Sequence, residues 1–373
     1  MTDLVPRRAA PALLGYAAIR LLGVSTLVLW GTLAGSSAHT LLARRWDSLW
    51  YTRVAESGYG YAVVLPNGDV HSNLAFFPLL PWSERALAAL TPLSHADAGL
   101  AVAWAASLAA AWGIFAVGDH LYGRRAATLL VLLWAALPVG VVQSMAYSES
   151  LFTALAAWSL HASLTGRWVT AGALAACAGL TRPVGAAVVA AVWVAAWQAQ
   201  RISANPRRPR AALVTGVLLA PLGAAGYVLW VGWHTGAGPL GYLRVQAGWG
   251  NGFDFGLAFA GFIGDKLTSS AFPAGIALLV GVLLVLWLYR LAVRQGQPAP
   301  LLLYTAVVVL LALCSAAYFG SKPRLLMPAF PLLLPVALAL ARWRVRRTLA
   351  VLAPLVAGSA AYGAFWLNGS GPP

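Results

Sequence analysis

Residues 9–35 read AAPALLGYAAIRLLGVSTLVLWGTLAG, and shortly after them residues 44–56 read RRWDSLWYTRVAE. The first stretch holds a single charge, Arg20, in a run longer than the roughly 20 apolar residues a helix needs to cross a bilayer core. The second has a different period. Trp46, Leu49, Trp50 and Val54 recur at helical spacing, while Ser48, Thr52, Arg53 and Glu56 take the other face. That pattern predicts an amphipathic helix lying at the interface, with the Trp side chains and Tyr51 at headgroup depth. A chain that crosses a membrane and then lays a helix on its far surface is a membrane protein with built structure outside its spans.

Composition extends this reading to the whole chain. Of the 373 residues, 60% are hydrophobic and 9% charged, against about 45–50% and about 25% in soluble domains. Soluble enzymes, coiled coils and disordered chains are excluded. Eleven apolar runs follow one another, at about 9–35, 98–118, 126–143, 148–164, 168–181, 183–199, 211–233, 271–290, 300–319, 325–341 and 348–367. They predict an all-α polytopic protein of about 11 transmembrane helices in a single membrane-embedded domain, 1–373. The first run is too long for a secretory signal core and is read as the first span. Cys177 and Cys314 both fall inside apolar runs, as small core residues rather than a disulfide or metal pair.

The net charge of +15 reads as a topology signal and not as nucleic-acid binding. With the N-terminus inside, fifteen of the 25 bases fall in cytoplasmic segments: Arg7, Arg8, Arg124, Arg125, Arg167, Arg201, Arg207, Arg208, Arg210, Arg290, Arg294, Arg342, Arg344, Arg346 and Arg347. Only Asp3 and Asp119 accompany them; the other eight acids lie outward with nine bases. The bias predicts a multi-pass plasma-membrane protein with a cytoplasmic N-terminus. Two Lys against 23 Arg suggest a GC-rich bacterial genome. Arg20, inside the first span, either faces the bundle interior or snorkels.

Two outward segments, 36–97 and 234–270, are too long to be plain connections, and long structured loops tend to carry function. In the first, a second helix is expected from about Pro81 to Leu90, with turns at Gly58–Tyr61 and Pro66–Asp69. Asp47 stands in the first turn of the interfacial helix, beside Arg44 and Arg45; it is either a capping residue or a reactive carboxylate. Glu149, in Tyr147-Ser148-Glu149-Ser150, either satisfies helix donors or faces a cavity, and Arg182, in Thr181-Arg182-Pro183-Val184-Gly185, sits in a tight break between two short spans. Lys322 and Arg324 lie outward, against the positive-inside trend, where a cation pair suits a lipid phosphate. His71 and His234 are lone outward histidines, and no His, Cys, Asp or Glu cluster has metal-ligand spacing.

The motifs resemble a known family. Trp46-Asp47-Ser48-Leu49-Trp50-Tyr51 with Ala55 and Gly58-Tyr59, then Asn73-Leu74-Ala75-Phe76-Phe77-Pro78-Leu79-Leu80-Pro81, is similar to the signature of the PIG-V-like mannosyltransferases of the GT-C glycosyltransferase superfamily. Tyr147–Ser150, Thr181–Gly185 and Pro323-Arg324-Leu325-Leu326 with Pro328 resemble its later blocks, in order. The resemblance implies a GT-C fold and an inverting transfer of mannose from a polyprenyl- or dolichyl-phosphate-mannose donor to an acceptor hydroxyl at the extracytoplasmic face. The eukaryotic members act on a glycosylphosphatidylinositol precursor. For this shorter, bacterial-looking chain a glycolipid, glycan or protein acceptor fits better.

Asp47 matches the superfamily's catalytic aspartate. The same likeness suggests Arg324, Lys322, Arg182 and Arg45 for the donor phosphate, and Trp46, Trp50, Tyr51, His71, Asn73 and Glu149 for acceptor or sugar. A phosphate-linked sugar already has a good leaving group, so one base and one or two cations suffice, with no cofactor expected. A divalent metal would require Glu149 or Asp69 to converge on Asp47. The alternatives are a GT-C transferase of another lipid-phosphate sugar, or a transporter or flippase of lipid-linked sugars. Related halves and ionisable residues near the midplane would mark the latter; no convincing repeat is found, and the acids lie almost wholly in the outward loops.

The charge bias places residues 36–97 outside and the segment around Asn205 inside. In intact cells, an Asn67→Cys variant should react with an impermeant thiol reagent and an Asn205→Cys variant should not; the opposite labelling would invert the orientation.

Overall fold

The computed structural model describes residues 4–202, 210–316, 318–369 and 371–372. Asp3, Asn205, Arg207 and Arg208, which entered the topology argument, lie outside the described residues. The chain opens with α1 (Leu4–Ala34), whose apolar run continues unbroken to a turn at Gly35. A short α2 (Ala38–Ala43) is capped by the Ser37 hydroxyl and leads into α3 (Asp47–Ser57). An antiparallel ribbon of β1 (Ala62–Val64) and β2 (Val70–Ser72) precedes α4 (Leu79–Leu90). Both helices expected in segment 36–97 are present. The ribbon around Pro66–Asp69 was not foreseen as strand, because three residues a side carry too little alternation to show.

The membrane bundle follows: α5 (His95–Tyr122), α6 (Arg124–Ala135), α7 (Ser148–Leu164), α8 (Trp168–Gly179), α9 (Ala186–Ile202), α10 (Arg210–Leu219) and α11 (Leu222–His234). Segment 234–270 holds α12 (Gly241–Gly248), β3 (Gly252–Phe253) and α13 (Leu257–Leu267). It is followed by α14 (Phe272–Arg294), α15 (Ala299–Cys314), β4 (Ser315–Ala316), α16 (Lys322–Leu326), α17 (Leu334–Ala341) and α18 (Val345–Leu367). In the interior, α5 packs on α7, α7 on α8, and α1 on both α6 and α18. Small residues permit the closest approaches. A Cβ on Gly172 of α8 would lie 2.1 Å from the carbonyl oxygen of Gly216 of α10, so these two backbones touch directly.

Among the described residues, five helices are long and apolar enough to cross a membrane: Arg7–Ala34, His95–Tyr122, Arg210–His234, Phe272–Arg294 and Val345–Leu367. The pair Phe319–Leu326 and Phe330–Ala341, bent by 76°, would make a sixth. The remaining apolar runs form helices of between 8 and 17 residues. Proline causes most of the shortening. Pro138 follows α6, Pro183 separates α8 from α9, and Pro328 lies in the bend before α17; each lacks an N–H and disfavours a helical residue before it.

Broken helices leave carbonyls without donors, and polar side chains inside the spans supply them. Arg20 is buried and faces the bundle interior, donating to the carbonyls of Ala135, at 2.5 Å, and Gly140. Tyr304 donates to Pro328 at 2.9 Å and Trp134 to Met327 at 3.1 Å, both at the bend after α16. Glu84 of α4 is a different case. It is buried with neither carboxylate oxygen hydrogen-bonded, and it lies where a Cβ on Gly99 would come within 2.6 Å of it. Burial, with Glu56 adding a smaller push, holds its carboxyl well above the usual range, so it packs as the neutral acid.

The buried face of α3 differs from the expected one. Ser48, Tyr51, Val54 and Ala55 are buried, whereas Leu49 is exposed. Hydroxyl partners turn the helix inward on this face: Ser48 Oγ accepts from Arg45 N at 2.9 Å, and Tyr51 Oη meets Ser148 Oγ at 2.7 Å. Cys177 and Cys314 are free and half-buried.

Replacing Arg20 by Met should destabilise the protein by about 1–3 kcal/mol for each carbonyl left without a donor. Thermal unfolding of detergent-purified protein measures it, and an unchanged midpoint would show that other groups satisfy Ala135 and Gly140.

Candidate active site

Asp47 is the first residue of α3, and its neighbours fix where that helix begins. Trp46, immediately before it, has φ of 53°, a left-handed conformation that a bulky side chain adopts at a cost of about 1–3 kcal/mol. Arg45 holds the turn by donating to the carbonyls of Leu367 and Gly369, each at 2.8 Å, at the carboxyl end of α18, and its guanidinium lies 4.0 Å from the Trp46 ring centroid. On the other side, Ala146 N donates to Leu42 O at 2.9 Å, and Asp47 N donates to Tyr147 Oη at 3.3 Å. The amino ends of α3 and α7 are thus held side by side, and Asp47 and Glu149 face a common centre.

Arg324 fills that centre. Its Nη1 donates to Asp47 Oδ2 at 2.7 Å, and its Nε lies 3.3 Å from Glu149 Oε1. The second is a charge contact, since its geometry does not satisfy a hydrogen bond. Arg182 reaches the same Glu149 oxygen with Nη1, and this nitrogen also donates to Ser148 Oγ at 3.1 Å. Two carboxylates and two guanidiniums therefore alternate in one neutral cluster. Glu149 is 1% exposed and Asp47 26%, so Glu149 is sealed behind the cations while Asp47 is open. Burial raises the hydroxyls of Tyr51 and Tyr147, which accordingly remain protonated beside the cluster.

The cluster faces a cavity of about 430 Å³ with two kinds of wall. On one side are Val308, Leu311 and Ala312 of α15 with Leu325 and Pro328, an apolar track at the level of the spans. On the other are Phe76 and Tyr51 from the first outward segment, with Gln246, Trp249 and Asn251 from the second. The second segment is latched there. Trp249 Nε1 donates to Ser72 O at 3.0 Å, Gln246 Nε2 approaches Ala75 O at 3.3 Å, and Asn251 Nδ2 donates to Gln246 Oε1 at 2.7 Å. Beyond Asn251, β3 pairs with β4, joining this wall to the apolar one.

The expected site residues divide accordingly. Asp47, Tyr51, Glu149, Arg182 and Arg324 line one cavity. Trp50 and His71 stand outside its lining, Trp50 stacked on Phe76 at 5.7 Å and His71 on Trp249 at 4.1 Å. Asn73 is committed to the loop after α3, accepting from Gly60 N at 3.1 Å and donating to Gly58 O at 3.0 Å. Lys322 is also outside the lining: its ammonium meets the carbonyl of Ser315 and lies 5.2 Å from the Phe259 ring centroid. Arg45 and Trp46, as described above, belong to the turn that sets α3. Asp69 pairs with Asn67 within the ribbon turn at 2.7 Å and stands outside the cavity lining, whereas Glu149 converges on Asp47 with Arg324 between them. Among the described residues no three His, Cys, Asp or Glu side chains gather as a metal site. Gln246, Trp249 and Asn251 were not singled out by sequence; the length of segment 234–270 was the only signal for them.

Neither a family model nor a curated protein matches the sequence. Several solved structures are similar in fold, two of them as follows. ArnT from Cupriavidus metallidurans, bound to undecaprenyl phosphate, superposes with a TM-score of 0.57 and 16% identity over 93% of this chain and 63% of ArnT. The apo oligosaccharyltransferase of Archaeoglobus fulgidus gives 0.53 and 13% identity over 96% of this chain and 55% of its own. This chain therefore spans less than two thirds of either neighbour's length. The shared architecture is the GT-C fold.

The difference in exposure predicts different stability losses. Glu149→Gln leaves buried guanidiniums uncompensated and should cost about 3–5 kcal/mol, whereas Asp47→Asn should cost about 1 kcal/mol or less. Melting of the two purified variants side by side tests this; equal losses would mean that Glu149 is not the buried counter-ion.

Proposed function

We propose that this protein is a membrane glycosyltransferase that moves one sugar from a polyprenyl-phosphate donor to an acceptor hydroxyl, with inversion. The observation that carries the reading is the Asp47–Arg324–Glu149–Arg182 cluster, set where an apolar track meets an amide and aromatic wall. A lipid-linked sugar has the same two-part chemistry. Its prenyl chain fits the side of α15, its phosphate fits the guanidiniums, and its sugar fits Tyr51, Phe76, Trp249, Gln246 and Asn251. The fold neighbour bound to undecaprenyl phosphate supports a carrier of this class. Mannose is the sugar suggested by the motif resemblance in residues 46–81.

In this mechanism Asp47 takes the proton from the acceptor hydroxyl as its oxygen attacks the anomeric carbon. The bond from that carbon to the phosphate oxygen breaks, and its electron pair leaves with the phosphate. The phosphate gains negative charge in the step, so cations already in place favour the transition state over the bound donor. Arg324 uses Nη1 and Nε on the two carboxylates, which leaves Nη2 for the phosphate. Glu149 acts by holding both guanidiniums in position. A base on the face opposite the leaving group makes an α-mannoside from a β-linked donor.

Asp47→Asn should abolish transfer without unfolding, because the amide keeps the shape but cannot accept the proton; loss of a general base typically costs 10²–10⁴ in rate. Single-turnover transfer from polyprenyl-phosphate mannose, beside the glucose and arabinose analogues, measures both the step and the sugar. Arg324→Lys should recover only part of the activity lost in Arg324→Ala, since a point charge does not reproduce the fork. Transfer by Asp47→Asn within about threefold of wild type would remove Asp47 as the base, given that losses for a true base begin near 10².

A further inference from the structure

A second cavity lies at the opposite end of the bundle. The first turns of α6 and α18 and residue Pro11 of α1 surround a groove of about 410 Å³. Counted along α18, Thr348 in this groove stands 19 residues from Leu367, whose carbonyl Arg45 holds; at 1.5 Å per residue the separation is roughly 28 Å. The groove has apolar residues on two helices, Leu129 and Leu132 on α6 and Leu349 and Leu352 on α18, with Pro11 of α1 also in its lining. Arg124 and Arg125, the first residues of α6, stand exposed at its mouth.

The charge here is one-sided. Arg7, Arg8, Arg124, Arg125, Arg344, Arg346 and Arg347 all sit at the starts of these three helices. Among the described residues, the carboxylate paired at this end is Asp119, with Arg8 at 3.1 Å. Arg125 donates to the carbonyl of Trp343, whereas Arg124 has no partner among the described residues. Thr128 and Thr348 turn their hydroxyls onto backbone carbonyls, so the groove below the arginines presents hydrocarbon. An Arg-rich helix end satisfies the positive-inside trend without a cleft beneath it. A cationic mouth over two apolar tracks has the complementary shape and charge of an acidic two-chain lipid.

We propose that this groove binds one acidic glycerophospholipid of the surrounding leaflet. Its phosphate sits on the Arg124 and Arg125 guanidiniums, which offer paired N–H donors. One acyl chain runs along the α6 track and the other along the α18 track. A single-chain prenyl phosphate would fill only one of them. The site is separate from the catalytic cavity and independent of the sugar transferred.

The test is native mass spectrometry of the full-length protein, purified with phosphatidylglycerol and phosphatidylcholine at equal mole fraction. One phosphatidylglycerol should be retained in preference to phosphatidylcholine, and the preference should weaken as salt rises. Arg124→Ala should reduce it about fivefold, the factor for one basic residue near an anionic lipid surface. Thr128→Glu, which places a carboxylate one helical turn from Arg124 on a partly exposed surface, should reduce it at least as much; a monodisperse sample of either variant checks folding. Equal retention of the two lipids by wild type, or an unchanged preference in both variants, would overturn the proposal. So would displacement of phosphatidylglycerol by undecaprenyl phosphate at equal mole fraction, which would assign the groove to the lipid carrier.

Discussion

The guanidinium of Arg324 between Asp47 and Glu149 is the contact on which the site depends. Burying charge costs several kcal/mol per ion unless partners satisfy it, and even then a buried pair is weak evidence of net stabilisation. The four charged groups come from the starts of α3 and α7, the turn before α9, and α16. The two kinds of charge balance each other: two arginines alone would repel, and so would two carboxylates. Such a cluster is better understood as preorganised for an incoming charge than as glue for the fold.

Irregular backbone at the depth of the spans is the second constraint. In a membrane, breaks in helices persist only where protein or a cavity satisfies their free groups. Here the chain is irregular at 136–147, 180–185 and 318–333, the last two contributing to the cavity lining, and side chains within the breaks or on other helices satisfy free carbonyls. Gln143 donates to Trp134 O at 2.8 Å, Thr181 to Ala178 O at 2.6 Å, and Ser359 to Leu137 O at 2.6 Å. Much of the polar content of the apolar runs is therefore structural. Lys322 is the instructive example, a cation beside the site whose donor is spent on the carbonyl of Ser315.

The outer wall is built by aromatic packing between two distant segments. Trp50 lies parallel to Phe76 and edge-on to Trp249 at 4.8 Å, while His71 covers the other side of Trp249. Offset and edge-to-face rings contribute about 0.5–1.5 kcal/mol each beyond their buried area. This layer fixes Phe76 and Trp249 without itself touching the cavity, which explains why a Trp-rich motif is informative about the site although only part of it lines the cavity.

Local patterns in the sequence determined the membrane character, the order of apolar helices, the two helices of segment 36–97 and the block around Asp47, because hydrophobicity and helical period depend only on neighbouring residues. The apolar runs 126–143 and 325–341 did not show their interruptions, which fall at Pro138 and Pro328. The tertiary structure alone decided which cations serve the carboxylates. Arg45, Lys322 and Arg324 are equivalent by composition, and only the path of the backbone sends one to Asp47 and the others to carbonyls. The same holds for Arg20, whose burial follows from the free carbonyls of Ala135 and Gly140 more than a hundred positions away. Likewise Gln246, Trp249 and Asn251 became part of the cavity through pairing with Ser72, Ala75 and β4. Contacts between residues 277 apart, such as that of Arg324 with Asp47, leave no periodic trace in either segment, so they become visible only when the bundle closes.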